Sequence, residues 1–113
     1  MSQVKGETML TKELHDVAVK EAQKAVQNYL LKNGQNPCGC GFASVVAYVD
    51  GRTRMAKSLV AHGFRKTNDG YRLWNPANSA TQDMYAKAAG AEAYIKAVEA
   101  DLCIDLFVHT AWD

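Results

Sequence analysis

Residues 42–49 read Phe42-Ala43-Ser44-Val45-Val46-Ala47-Tyr48-Val49. The run is almost unbroken in apolar character, rich in β-branched and aromatic side chains, and shorter than an ordinary helix. It reads as a strand buried on both faces, and therefore as a central strand of a sheet. Before it, Asn36 to Gly41 (NPCGCG) holds one proline, two glycines and no periodicity, which is loop chemistry. After it, Asp50-Gly51 ends the strand.

Working outward, Thr11 to Asn33 carries a helical pattern. Leu14, Val17, Ala18, Ala22, Ala25, Val26, Tyr29 and Leu30 recur at spacings of three and four. Thr11 is the expected cap, Gly34 the expected stop, and Pro37 forbids continuation. Arg52 to His62 reads as a short helix with Met55, Ala56, Leu59 and Val60 inward, Asp50 as its cap and Gly63 as its close. Phe64–Thr67, the turn cluster Asn68-Asp69-Gly70 and Tyr71–Trp74 form a hairpin signal, with a polar first arm suited to an edge. Ser79 with Gln82 three residues on reads as a capping box. It opens a helix striped by Tyr85, Ala88, Ala91, Ile95, Val98 and Leu102. Gly90 inside that helix points to close approach of another backbone. Ile104 to Trp112 alternates as a last strand.

The elements run α-β-α-β-β-α-β. With the first helix set aside, the expected fold is α+β: a ferredoxin-like βαββαβ sheet, four-stranded and antiparallel, preceded by one long N-terminal helix. The 113 residues make one expected domain. Residues 1–7 are expected to form a flexible tail, 11–33 the N-terminal helix and 42–113 the βαββαβ core. The extra helix is expected to cover the second sheet face or to mediate a homodimer.

Hydrophobic residues make up 48% and charged ones 22%, a globular balance that excludes a disordered chain. No apolar run reaches the roughly 20 residues needed to span a bilayer, and the polar start does not read as a secretory signal. Three cysteines, Cys38, Cys40 and Cys103, then read as reduced thiols, with a cytoplasmic setting as the expectation. Net charge is +1, but its distribution is uneven. Residues 50–72 hold all four arginines, two lysines and two acids, a net of +4, while the remainder sums to −3. That gathering marks a binding segment, Arg52, Arg54, Lys57, Arg65, Lys66 and Arg72, for an anionic protein or nucleic-acid-associated partner. Arg52 and Arg54 in a first helical turn oppose the helix dipole, which a bound anion would offset. The plainer reading is a solvated, mixed surface.

Two other chemistries compete. The small residues around Cys38 and Cys40 let N–H groups converge as an oxyanion nest, with His62 or His109 as a base for a thiolate nucleophile. Against this, Gly-Cys-Gly also suits a tight turn entering a buried strand. Cys38, Cys40, His62, Cys103 and His109 would supply ligands for zinc, but C-x-C is not a knuckle spacing and the rest are scattered, so no metal or cofactor is expected. A nucleic-acid module is the third reading. The RNA recognition motif stacks bases on aromatics of its two central strands, and Phe42 and Tyr48, with Tyr71 or Trp74, could serve. The third-strand signature of that domain is absent, and the expectation is that these aromatics are core beneath the N-terminal helix. His15 is expected to be solvated, His62 to close its helix, and His109 to share a face with Asp105, Phe107 and Ala111.

Cys40-Gly41-Phe42-Ala43, the basic helix after the first strand, Tyr71-Arg72-Leu73-Trp74-Asn75-Pro76, Thr81-Gln82-Asp83-Met84 before an alanine-rich helix, and Asp113 carry a resemblance. Together they make the chain similar to small uncharacterised α/β proteins of phage genomes. The resemblance implies no activity or catalytic residue. It implies a phage-borne setting in a bacterial host cytoplasm, where such proteins commonly bind host machinery. The leading expectation is a non-enzymatic binding protein, a phage accessory or counter-defence factor, that engages an anionic host macromolecule or partner protein through the arginine segment. The alternatives are a small cysteine-dependent enzyme and a nucleic-acid-binding module.

Overall fold

The computed structural model describes residues 9–34, 40–68, 70–79, 81, 83–102 and 104–112. The elements are α1 (Lys12–Asn33), β1 (Gly41–Tyr48), α2 (Arg54–Ala61), β2 (Arg65–Thr67), β3 (Gly70–Trp74), α3 (Met84–Glu99) and β4 (Asp105–Trp112). The architecture is α+β, with one four-stranded antiparallel sheet in the order β2-β3-β1-β4 and a long N-terminal helix. Strands β1 and β3 are central. The tail proposed for residues 1–7 lies outside the described residues.

The ferredoxin-like βαββαβ order is not matched as a whole, because α1 precedes β1. The helix layer differs for a physical reason. Helix α2 has only eight residues and touches the β2–β3 hairpin, and it is α1 that packs along α3. Ala18, Ala22 and Val26 of α1 are buried on that seam. Gly90 of α3 faces them so closely that an added Cβ would lie 2.8 Å from Val26 Cγ2 and 3.3 Å from the Ala22 carbonyl oxygen. Small residues here let two backbones meet, as the isolated glycine suggested.

The three helices among the described residues lie on one side of the sheet. The core joins Ala18, Ala22 and Val26 to Met55, Leu59, Phe64, Tyr94 and Val98, and to Val45, Ala47 and Tyr71 from the strands. Ser58 of α2, buried, accepts from the Leu10 N–H at 2.7 Å and donates to the Met55 carbonyl at 2.7 Å, tying the approach to α1 onto α2. Gly70 has φ +137°, and its backbone comes so near β1 that a Cβ would meet the Ala47 carbonyl oxygen at 2.5 Å. Only glycine suits that start of β3.

Three local expectations are corrected. Thr53, not Asp50, caps α2, accepting from the Ala56 N–H at 3.2 Å. Asp83, not Ser79, caps α3, its buried carboxylate accepting from the Tyr85 and Ala86 N–H groups at 2.9 and 3.2 Å. Charge decides between them, since a carboxylate at a helix N-terminus also meets the dipole. The inward face of α3 is accordingly Ala86, Lys87, Gly90, Ala91, Tyr94 and Val98, and Tyr85 is exposed. His15 is part-buried rather than solvated. Its Nδ1 lies 2.6 Å from Tyr94 Oη, and its ring stacks on His62 at 5.1 Å.

That cluster links α1, α2 and α3 and makes stability depend on pH. Burial, and then the neighbouring His62, hold the His15 imidazole below its ordinary value of 6.5, against a smaller opposing pull from Asp16. Burial also pushes the Tyr94 phenol well above its usual range. Between the depressed folded value of His15 and 6.5, the unfolded chain binds more protons than the folded one. The stability contributed by neutral His15 is therefore complete above 6.5 and is lost as pH falls through that window. Urea unfolding at stepped pH should show this decline, and His15→Gln should flatten it. Gly90→Leu should cost about 1–3 kcal/mol through overpacking against α1, read by the same urea transition.

Candidate functional site

One face of the sheet has no covering element among the described residues. In antiparallel pairing, directly opposed residues share a face. The register therefore places Phe42, Ser44, Val46 and Tyr48 of β1 together with Arg72 and Trp74 of β3 and with Asp105, Phe107, His109 and Ala111 of β4. Arg65 of β2, opposite Arg72, joins them. Val45, Ala47, Tyr71 and Leu73 face the helices.

The expectation that the aromatics are core beneath the N-terminal helix is thus overturned for three of the four. Helix α1 stays on the side of α3. Phe42, Tyr48 and Trp74 are 48, 47 and 46% exposed, and Phe107 is 37% exposed. Tyr71, pointing the other way, is buried. Four large apolar rings on one bare face are unusual for a solvated surface, whose exposed apolar groups are normally scattered. They form two groups. Phe42 and Trp74 meet edge-on at 6.4 Å, and Tyr48 and Phe107 lie 5.0 Å apart at 42°.

Between the two groups the face is polar and positive. Arg72 and His109 reach over β1 from opposite sides, and a guanidinium nitrogen of Arg72 lies 3.1 Å from His109 Nδ1. A guanidinium only donates, so His109 Nδ1 accepts and its hydrogen sits on Nε2. The Arg72 guanidinium also lies 5.4 Å from the centre of the Trp74 ring. Arg65 and Arg72 are directly opposed across β2 and β3, which gathers positive charge on this part of the face. Ser44, opposite both His109 and Trp74, is fully buried, and its Oγ has no hydrogen-bond partner among the described residues.

Lys87 of α3 supports the rim. It is 8% exposed, donates to the Gly41 carbonyl at 2.9 Å, and holds its ammonium 5.3 Å from the Phe42 ring centre. The adjoining loop is fixed by Asn75, whose side chain bonds both the Ser79 carbonyl (2.8 Å) and the Ser79 N–H (3.3 Å). Asn75 and Asn78 take positive φ of 45° and 52°, where asparagine is tolerated.

The arginine segment does not stay together. Arg65 and Arg72 stand on the open face. Lys66 turns to the other side, its ammonium 5.5 Å from the Tyr71 ring centre. Arg52 precedes α2 and pairs with Asp50 at 3.2 Å in solvent, and Arg54 and Lys57 are exposed on α2. The thiol constellation is also spread out. Cys40 bridges to Asp83 at the foot of β1, His62 stacks on His15, and His109 stands opposite Ser44, about 13 Å along β1 from Cys40. Cys38 and Cys103 lie outside the described residues, and among the described residues no three ligating side chains gather as a metal site.

Compared with protein-family models, with curated proteins and with solved structures, the chain matches none. No helix among the described residues is long and apolar enough to cross a membrane.

Sequence reasoning grouped Phe42 and Tyr48 with Tyr71 or Trp74 as one alternative and Arg65 with Arg72 as another, but did not join the rings, the arginines and His109 on one face. It missed Lys87 and Ser44. The alternation Phe42-x-Ser44-x-Val46-x-Tyr48 carried the signal for Ser44, a polar residue on the face whose two ends are aromatic. Lys87→Met should leave the Gly41 carbonyl without its charged donor and cost about 1–3 kcal/mol in urea unfolding.

Proposed function

We propose that this protein is a non-enzymatic binding domain whose open sheet face takes single-stranded nucleic acid. The observation that carries the reading is the bare face itself, with Phe42, Tyr48, Trp74 and Phe107 exposed around paired arginines. Aromatic rings accept bases of any identity by stacking, and guanidinium groups attract the phosphates. Stacking on aromatics of two adjacent central strands is a known sheet-based mode of single-strand recognition. The reading narrows the anionic partner expected from the arginine segment, and moves the contact from Arg52 and Arg54 to Arg65 and Arg72. The phage-borne setting implied by the resemblance is compatible with a small accessory protein of this kind and belongs to the same proposal.

Fluorescence anisotropy with labelled single-stranded 12-mers tests it. Binding should weaken steeply with added salt. The double variant Phe42→Ala, Trp74→Ala should lose about tenfold or more in affinity. Arg52→Glu with Arg54→Glu, away from the face, should stay within about threefold at physiological salt. Absent or salt-independent binding would remove the reading. A concentration-dependent dimer that the Phe42/Trp74 variant dissociates would assign the face to a second copy of the chain.

A further inference from the structure

We infer that the outer edge of β4 pairs antiparallel with β4 of a second copy of this chain, joining two four-stranded sheets into one continuous sheet with both open faces on the same side. The pairing holds whether or not the face binds nucleic acid.

The two edges of the sheet are built differently. Strand β2 forms one, with three residues, and two of them, Arg65 and Lys66, are exposed cations. Short length and charge are the usual protection of an edge. Strand β4 forms the other edge and has neither protection. It runs eight residues, holds no proline, lysine or arginine, and keeps an unbroken register with β1 from Asp105 to Trp112. A long strand left in this state presents a row of N–H and C=O groups ready for another chain. No described residue pairs with its outer side.

The side chains choose the register. With a twofold axis at Phe107, Asp105 of each copy stands opposite His109 of the other, and Phe107 opposite Phe107. Directly opposed residues share a face, with Cβ atoms about 4.5–5.5 Å apart. Asp105 is exposed and makes no ion pair among the described residues. His109 gives one ring nitrogen to Arg72, which leaves an Nε2–H donor for that carboxylate. Moving the axis one residue, to Val108, sets Asp105 opposite Ala111 and Phe107 opposite His109, and the match is lost. The Phe107 ring already lies 5.0 Å from Tyr48. Meeting its own copy, it extends that pair into a row of rings across the seam.

Helix α3 flanks the same edge. Ala89, Ala93 and Lys96 line a cleft with Phe107 and Val108. The alanines admit a second helix, and the exposed Glu92, Lys96 and Glu99 carry both signs with no ion pair among the described residues. An antiparallel pair of such helices is self-complementary, as a twofold interface requires.

Sedimentation velocity across a dilution series of the full chain tests this. The wild type should pass from monomer to dimer as concentration rises. Asp105→Lys and His109→Glu should each weaken the dimer about fivefold or more, because unmatched or like-charged groups then face each other. The double variant Asp105→Lys, His109→Glu sets opposite charges at both positions again and should return the dissociation constant to within about threefold of wild type. Phe42→Ala with Trp74→Ala, outside the paired segment, should leave it unchanged. Thermal melts check that each variant is folded; should His109→Glu unfold, Asp105→Lys, at an exposed position, decides. A monomer at every concentration, a dimer indifferent to the single changes, or a weakened dimer that the folded double variant fails to restore would overturn the β4 pairing. None of these outcomes bears on nucleic-acid binding.

Discussion

The seam between α1 and α3 decides what kind of surface this protein has. A four-stranded sheet has two faces, and three helices are enough to cover both. Here Ala18, Ala22 and Val26 nest against Gly90 and Ala91, and the long N-terminal helix is thereby committed to the side that α3 already occupies. The contact is cheap in side-chain entropy because its members are small. Its consequence is spatial: every helix among the described residues is spent on one face, and the other is left to its own side chains.

That open face is built as a laminate. Its middle layer, Ser44 and Val46, is fully buried with no helix above it among the described residues. Long side chains from the flanking strands close over it, chiefly Arg72 and His109, with rings at both ends. A surface assembled from side chains on paired strands has its backbone fixed by the ladder, while its outer layer is held by side-chain contacts alone. Lys87 adds a link at the start of β1, carrying charge from a helix of the covered face to a position over an aromatic ring of the open one.

Much of the fold was legible in the sequence because local chemistry and tertiary context agree there. The β-branched run of β1, the Asn-Asp-Gly turn, Thr11 as a cap and Gly90 as a point of close approach each have one physical solution. The failures share a cause too. Ser79 and Asp83 are both competent caps by residue type; the Ser79 hydroxyl accepts from the Thr81 N–H inside the loop, and the carboxylate, favoured by the helix dipole, takes the helix start. Val17, Val60 and Tyr85 fall on helical stripes yet are exposed, because each stripe is wider than the surface available to cover it. The candidate site was legible as a set of residues and not as a place. An alanine-rich helix carries no mark of which side of a sheet it will choose, and that choice separates buried core from open platform. His15 looked solvated beside Asp16 for a similar reason, since its partners, His62 and Tyr94, come from remote segments.

The pairing of β1 with β4 also shapes the order in which the molecule can form. Gly41 to Tyr48 is zipped to Trp112 to Asp105, so the central strand finds one of its two neighbours only after α2, the hairpin and α3 have been laid down. Contacts of such long sequence separation close slowly, because the chain entropy of the intervening loop must be overcome before any pairing rewards it. During synthesis β1 waits with one edge unpaired, and α1, which precedes it, waits for α3. The early chain is therefore the vulnerable species. The features that shelter it are local ones: a capped helix and a β2–β3 hairpin that can fold on its own timescale and offer β1 its first partner.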